Sequence, residues 1–280
     1  MDHDEQLAWE ARAGKRAAVA AFAAALVGFT SGIYLQAAIG GASDADEYLR
    51  EAERQPADFI ISGILLAVGS VLIVPVLAYL FRATRHRRPE LMPAALYLAA
   101  LGAVTIAVVA VWRYVEITNI AEEFFPFDGT DSEEAAEDEL RDALPPAVQG
   151  VGIGGTLALA FAVVMISLNA MRAGLLSRFM GILGIFVGVV LVIPLGVQIL
   201  QLFWFAALGL LFLDRWPGGR GPAWQTGEAI TWPGAAEQRQ EVERRRAERE
   251  GLLEPPADAA EPAEPETPRP ASRKRRKKKR

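Results

Sequence analysis

Three groups of residues have side chains and spacings that could do chemistry. Gly150, Gly152 and Gly155 fit the G-x-G-x-x-G pattern that cradles a dinucleotide pyrophosphate. Eleven acids and a single arginine, Arg141, lie between 114 and 146, where they could attract a divalent cation or a basic partner. Eight consecutive cations, Arg273, Lys274, Arg275, Arg276, Lys277, Lys278, Lys279 and Arg280, could hold an anionic surface. Against these stand firm exclusions. The 280 residues include no cysteine and two histidines, His3 and His86. Disulfides, thiolate metal sites and cysteine nucleophiles are therefore ruled out, and imidazole chemistry nearly so. No paired carboxylates, metal cluster or nucleophile–base set is visible along the sequence, so the chain reads as non-enzymatic, with no cofactor and no metal.

The elements that carry these groups follow from hydropathy. The composition is 52% hydrophobic and 22% charged, with a net charge of -5. A positive mean hydropathy beside so many charges means that the two are segregated along the chain, which excludes an ordinary soluble enzyme. Five apolar blocks result. A bilayer core of about 30 Å needs about 20 helical residues, so the first four blocks predict spans near 17–40, 59–81, 92–112 and 147–171. The fifth block, 179–213, is too long for one crossing. Its middle reads Pro194-Leu195-Gly196-Val197-Gln198, and a proline beside a glycine suits a reversal, giving spans near 179–195 and 197–213. The fold class is all-α, a six-span transmembrane bundle with a disordered, basic C-terminal tail. The first span is expected to be a retained anchor, since its apolar stretch exceeds that of a cleaved signal peptide.

Loop charge supports the same count. The segment 1–16 carries Arg12, Lys15 and Arg16. The first loop has Arg50 and Arg54 against five acids, and the second has Arg82, Arg85, Arg87 and Arg88 against one. The third has a net charge of -10, and the fourth has Arg172 and Arg178 with no acid. By the positive-inside rule this alternation puts both termini in the cytoplasm of a cell membrane. Three parts are expected: a cytoplasmic segment 1–16, a bundle 17–214, and a cytoplasmic linker and tail 215–280.

Placed on these spans, the glycine motif loses its nucleotide reading, because a dinucleotide loop needs a strand before it and a helix after it. Close helix contact is the better reading. Gly150 and Gly154 form a GxxxG pair, as do Gly28 with Gly32 and Gly184 with Gly188. Such pairs suit a compact bundle or a homodimer. No charge falls in the middle of a span. Asp58 is expected to cap the second span, and Arg113 and Glu116 to close the third beside Trp112 and Tyr114. Uncharged polar residues remain, and Gln36, Asn169, Gln198 and Gln201 could line a small polar cavity; packing through interhelical hydrogen bonds is the default reading.

The fifth span opens Ser177-Arg178-Phe179-Met180-Gly181-Ile182-Leu183-Gly184. This RxxGxxG entry, with the continuation LFWFAALGLLFLDRWPGGRGPAWQTGE, resembles uncharacterised multi-span membrane families of bacterial, actinobacterial-like type. The resemblance covers mainly 177–230 and implies a polytopic membrane fold, with no activity or catalytic residue. The alanine- and arginine-rich composition also fits a bacterium with a GC-rich genome.

The polar segments complete the reading. In the third loop, Ser132 can cap a short helix with Glu133 and Glu134 in its first turn and Pro145 near its stop. Residues 235–250 can form a charged helix, and the proline-rich stretch after them cannot bury a core. The eight terminal cations then face three readings: a solubilising, topology-fixing end, contact with anionic lipid head groups, or contact with an acidic protein. Nucleic acid ranks below these, because no aromatic residue interleaves the run. Two functions are carried forward: a membrane protein whose tail contacts anionic lipid or an acidic partner, and a small-solute transporter or channel built on the uncharged polar positions.

Overall fold

The computed structural model describes residues 3–124, 133–193, 198–217 and 219–232, together with 243, 244 and 246. The chain divides into two units, Met1–Trp232 and Pro233–Arg280. The terminal cations 273–280, Ser132 and the Pro194–Val197 turn all lie outside the described residues.

Among the described residues every regular element is a helix: α1 His3–Ala38, α2 Ala45–Arg54, α3 Pro56–Arg87, α4 Ala94–Phe124, α5 Glu133–Asp142, α6 Pro146–Arg172, α7 Arg178–Val190, α8 Gln198–Phe212 and α9 Pro222–Thr226. Four of them, α1, α3, α4 and α6, are long and apolar enough to cross a membrane. α7 and α8 have 13 and 15 residues, or about 20 and 22 Å of helix, which is short of an ordinary crossing. The six expected spans thus resolve into four full-length helices and two shorter apolar ones. The fifth block divides between α7, which ends at Val190, and α8, which starts at Gln198, with 194–197 outside the described residues.

The first unit is a ring of helices. α1 packs on α3, α3 on α4, α4 on α6 and α6 on α7, while α8 returns beside α1 and touches α7 to close the ring. Sequential neighbours pack as short connections dictate. Large side chains point outward at helical spacing, as with Val19, Leu26, Phe29 and Ile33 on α1, or Leu101, Val104 and Val108 on α4. Lipid, not protein, is the natural neighbour for such faces.

Helix ends differ from the sequence reading in three places. α1 is continuous from His3, so the expected N-terminal segment 1–16 is mostly its first turns. α3 starts at Pro56, which places Asp58 inside the first turn, not at the cap, where its carboxylate accepts a 2.7 Å hydrogen bond from the Tyr34 hydroxyl. α4 does not stop at Arg113 and Glu116 but runs on to Phe124. The extension has a cause: Ile117, Ala121 and Phe124, spaced by four and three, join Leu49 and Ala52 of α2, Phe59 of α3 and Ala136 of α5 in a second apolar cluster. α2 and α5 therefore form a small cap at the acidic-loop end of the ring. α5 occupies the position expected for the short acidic helix.

Candidate functional site

Two polar assemblies stand out, one within the ring and one at its basic-loop end. The first is a cavity of about 240 Å³ between α1, α3 and α8, with Tyr114 of α4 at its edge. α1 contributes Gly28, Ser31, Gly32 and Gln36, α3 contributes Gly69 and Ser70, and α8 contributes Gln201. Small residues open this space, since the glycines place no side chain between the helices. A Cβ on Gly28 would come within 3.0 Å of Leu202, and one on Gly69 within 3.7 Å of the Gly28 backbone. The Ser31 hydroxyl donates to the Ser62 carbonyl at 3.2 Å and the Ser70 hydroxyl to the Leu66 carbonyl at 2.9 Å. Their remaining lone pairs, with the two glutamine amides, give a neutral lining that both donates and accepts.

The four polar residues picked from the sequence part company here. Gln36 and Gln201 meet at the cavity. Asn169 does not: its amide donates to the Met165 carbonyl one turn back on its own helix, at 2.8 Å. Gln198 opens α8, and its side chain lies outside the described residues. The glycine pairs divide in the same way. Gly28 and Gly32 line the cavity. Gly184 and Gly188 let α7 approach α6, for a Cβ on Gly184 would strike Ser167 and the Trp204 ring, and one on Gly188 would strike Val164 and the Ala160 carbonyl. Gly150 and Gly154 make no such contact, because a Cβ at either would meet open space. Gly155, from the refused nucleotide motif, is the packing glycine of α6: it sits against Gly102 and Thr105 of α4. The RxxGxxG entry also acquires a role. Ser177 caps α7 by accepting from the Met180 amide at 3.3 Å, and Gly181 and Gly184 face α6.

The second assembly escaped the sequence reading. Arg87, at the end of α3, and Glu10, in the first turns of α1, form a buried pair with side chains 0% and 3% exposed. The guanidinium meets both carboxylate oxygens, at 2.6 and 3.0 Å. Its other N–H groups reach the Ala83 carbonyl at 2.9 Å and the Ala223 carbonyl at 3.0 and 2.7 Å. All five donors are thus used. Gln6 donates to the same carboxylate at 2.9 Å, and the Tyr79 hydroxyl donates to the Glu10 carbonyl at 3.0 Å. Aromatic rings close over the pair. Tyr79 stacks on Trp224 with centroids 5.9 Å apart and meets Phe212 edge-on at 4.7 Å. Arg87 and Arg220 lie over Trp224 at 5.6 and 5.1 Å.

This cluster ties α1, α3 and α8 to the segment after the bundle. That segment is held further by the Trp224 indole donating to the Leu175 carbonyl at 2.9 Å, and by Gly174, whose φ of +77° and contact with the Ile230 carbonyl leave no room for a side chain. With all five guanidinium donors used and both side chains buried, the arrangement latches the segment after the bundle to α1 and α3. Among the described residues no three His, Cys, Asp or Glu side chains gather where they could hold a metal.

An all-helical ring with four membrane-length helices defines a multi-pass membrane protein. Residues 17–213 match the family model described as "Domain of unknown function (DUF4386)", and the chain belongs to that family. No curated protein and no solved structure matches it.

Proposed function

We propose that this protein is a non-enzymatic membrane protein whose bundle admits a small uncharged polar solute. The observation that carries this reading is the cavity in which Gln36 and Gln201 meet Ser31 and Ser70. Among the described residues no ionisable side chain other than the Tyr114 phenol lines it. A neutral molecule with hydroxyl or amide groups suits such a lining, whereas a desolvated ion would find no countercharge. Swelling of proteoliposomes in an isosmotic glycerol gradient tests the reading. Vesicles carrying the full chain should swell faster than empty ones, and Gln36→Leu with Gln201→Leu should return them to the empty baseline. Equal swelling with and without the protein removes the proposal.

A second reading rests on the eight consecutive cations at 273–280. Near an anionic leaflet each contributes about 1 kcal/mol, so partial engagement holds a tail at the membrane. The same run could hold an acidic partner protein. Truncation after Pro268 should abolish salt-sensitive association with anionic vesicles and leave swelling unchanged. Loop charge supports six crossings of the plasma membrane with both termini cytoplasmic, the two short apolar helices pairing as the last crossings. The alanine- and arginine-rich composition supports a bacterial source.

A further inference from the structure

α4 and α6 pack closely where Gly102 meets Gly155, and toward α5 they line an opening together with Leu140, Arg141 and the residues that follow α7. The opening is a groove of about 640 Å³, within the range of small-ligand sites. Its walls change character along their length. Ile106 and Val109 of α4 face Ile153 and Leu157 of α6 in the deeper part, and the last two are exposed on the side that lipid would cover. At the mouth stand Arg113, Arg141 and Gln149.

Arg113 lies between Trp112 and Tyr114, residue types that settle at the head-group level of a bilayer. Among the described residues it has no ion-pair or hydrogen-bond partner, although this end of the protein is rich in carboxylates. Arg141 is paired instead, with Asp138 at 2.5 Å, on a helix that also carries Glu133, Glu134, Glu137, Glu139 and Asp142. The mouth therefore offers a guanidinium that no carboxylate pairs among the described residues, beside a carboxylate-rich helix. A purely anionic head group would gain Arg113 and be repelled by α5. A head group bearing both phosphate and ammonium matches both.

We propose that this groove binds a zwitterionic phospholipid, with its phosphate on Arg113, its ammonium toward the carboxylates of α5 and an acyl chain along Val109, Ile153 and Leu157. The guanidinium suits phosphate because its planar fork donates two parallel hydrogen bonds. From Arg113 to Ile106 the wall runs about 10 Å along α4, enough to seat the upper part of a chain.

Native mass spectrometry of the full chain in detergent, with added phosphatidylethanolamine or phosphatidylglycerol, tests the assignment. One phosphatidylethanolamine should be retained in preference to phosphatidylglycerol. Arg113→Gln should lower that retention about fivefold. Ile153→Trp, at an exposed position where a large side chain can lie in the groove, should abolish it. Both variants should keep the helical content of the parent, measured by circular dichroism. A variant short of that content is replaced by Arg113→Met or Leu157→Trp, judged by the same criterion. Removing residues 269–280 should leave the retention unchanged, which separates the groove from the basic tail. Retention of phosphatidylglycerol at or above the phosphatidylethanolamine level overturns the proposal. So does retention that either folded variant leaves unmoved, or that the tail truncation abolishes.

Discussion

Glu10 and Arg87 lie 77 residues apart and meet in a two-point ion pair sealed from solvent by Tyr79, Phe212 and Trp224. Such a pair adds little net stability over an apolar replacement, because both charges lose their hydration. Its effect is specificity: a guanidinium with five satisfied donors fixes which turn of α1 faces the end of α3, and where Ala223 must dock.

The first prediction follows from that asymmetry. Arg87→Ala leaves the Glu10 carboxylate buried beside Tyr79 and should cost about 3–5 kcal/mol. The double variant Glu10→Leu with Arg87→Leu should cost much less than the sum of its parts. Thermal unfolding of the detergent-solubilised chain, run as a double-mutant cycle, reads both quantities. Additive losses would mean that the two side chains do not act as a pair.

The glycines give a second contrast on a single scale. Gly184→Ala pushes a methyl group into Ser167 and Trp204 and should destabilise by about 1–3 kcal/mol. Gly154→Ala meets open space and should change stability by no more than about 0.5 kcal/mol. Comparable losses at the two positions would contradict the packing of α7 on α6.

How much of this was legible beforehand depends on which physical signal carried it. The membrane helices are plain because lipid demands long apolar runs, and the length of 179–213 alone exceeds one crossing, which is enough to expect two helices there. The cap was harder. α2 reads ADEYLREAER, and its apolar contribution is little more than Tyr48, Leu49 and Ala52, too short a pattern to stand out from a charged loop. The end of α4 was obscured for the same reason, since Arg113 and Glu116 look like a stop until Ile117, Ala121 and Phe124 are seen to have partners. Glu10 and Arg87 gave no signal, because in sequence they are ordinary members of an acidic terminus and a basic loop. Of the glycines, spacing alone favoured Gly150 with Gly154; which face of α6 meets α4 decides for Gly155, and that face is a property of the assembled ring.

The crossing number can be measured directly, because the chain has no cysteine to interfere. Single cysteines replacing Ser132 and Ser272 should differ in intact cells treated with an impermeant maleimide. Label at 132 alone is the expected result for six crossings with cytoplasmic termini. Label at both positions would require an odd number, and label at 272 alone would reverse the orientation.

The cap offers a test by pH. Tyr48 sits on α2 with its ring edge-on to Phe59 at 5.2 Å, and burial, aided by Tyr114 and opposed by Arg113, pushes its phenol up to about 12. An unfolded tyrosine titrates near 10. The folded cap therefore holds this proton more tightly, so the stability linked to it is complete below about pH 10 and is lost as pH rises through about 12. In the 295 nm absorbance difference between the parent and Tyr48→Phe, the tyrosinate signal should appear with a midpoint near 12 while the protein stays folded. Proteolysis of α2 should accelerate over the same interval in the parent but not in the variant. A midpoint near 10 would mean that Tyr48 is solvated, and that α2 does not close over Phe59.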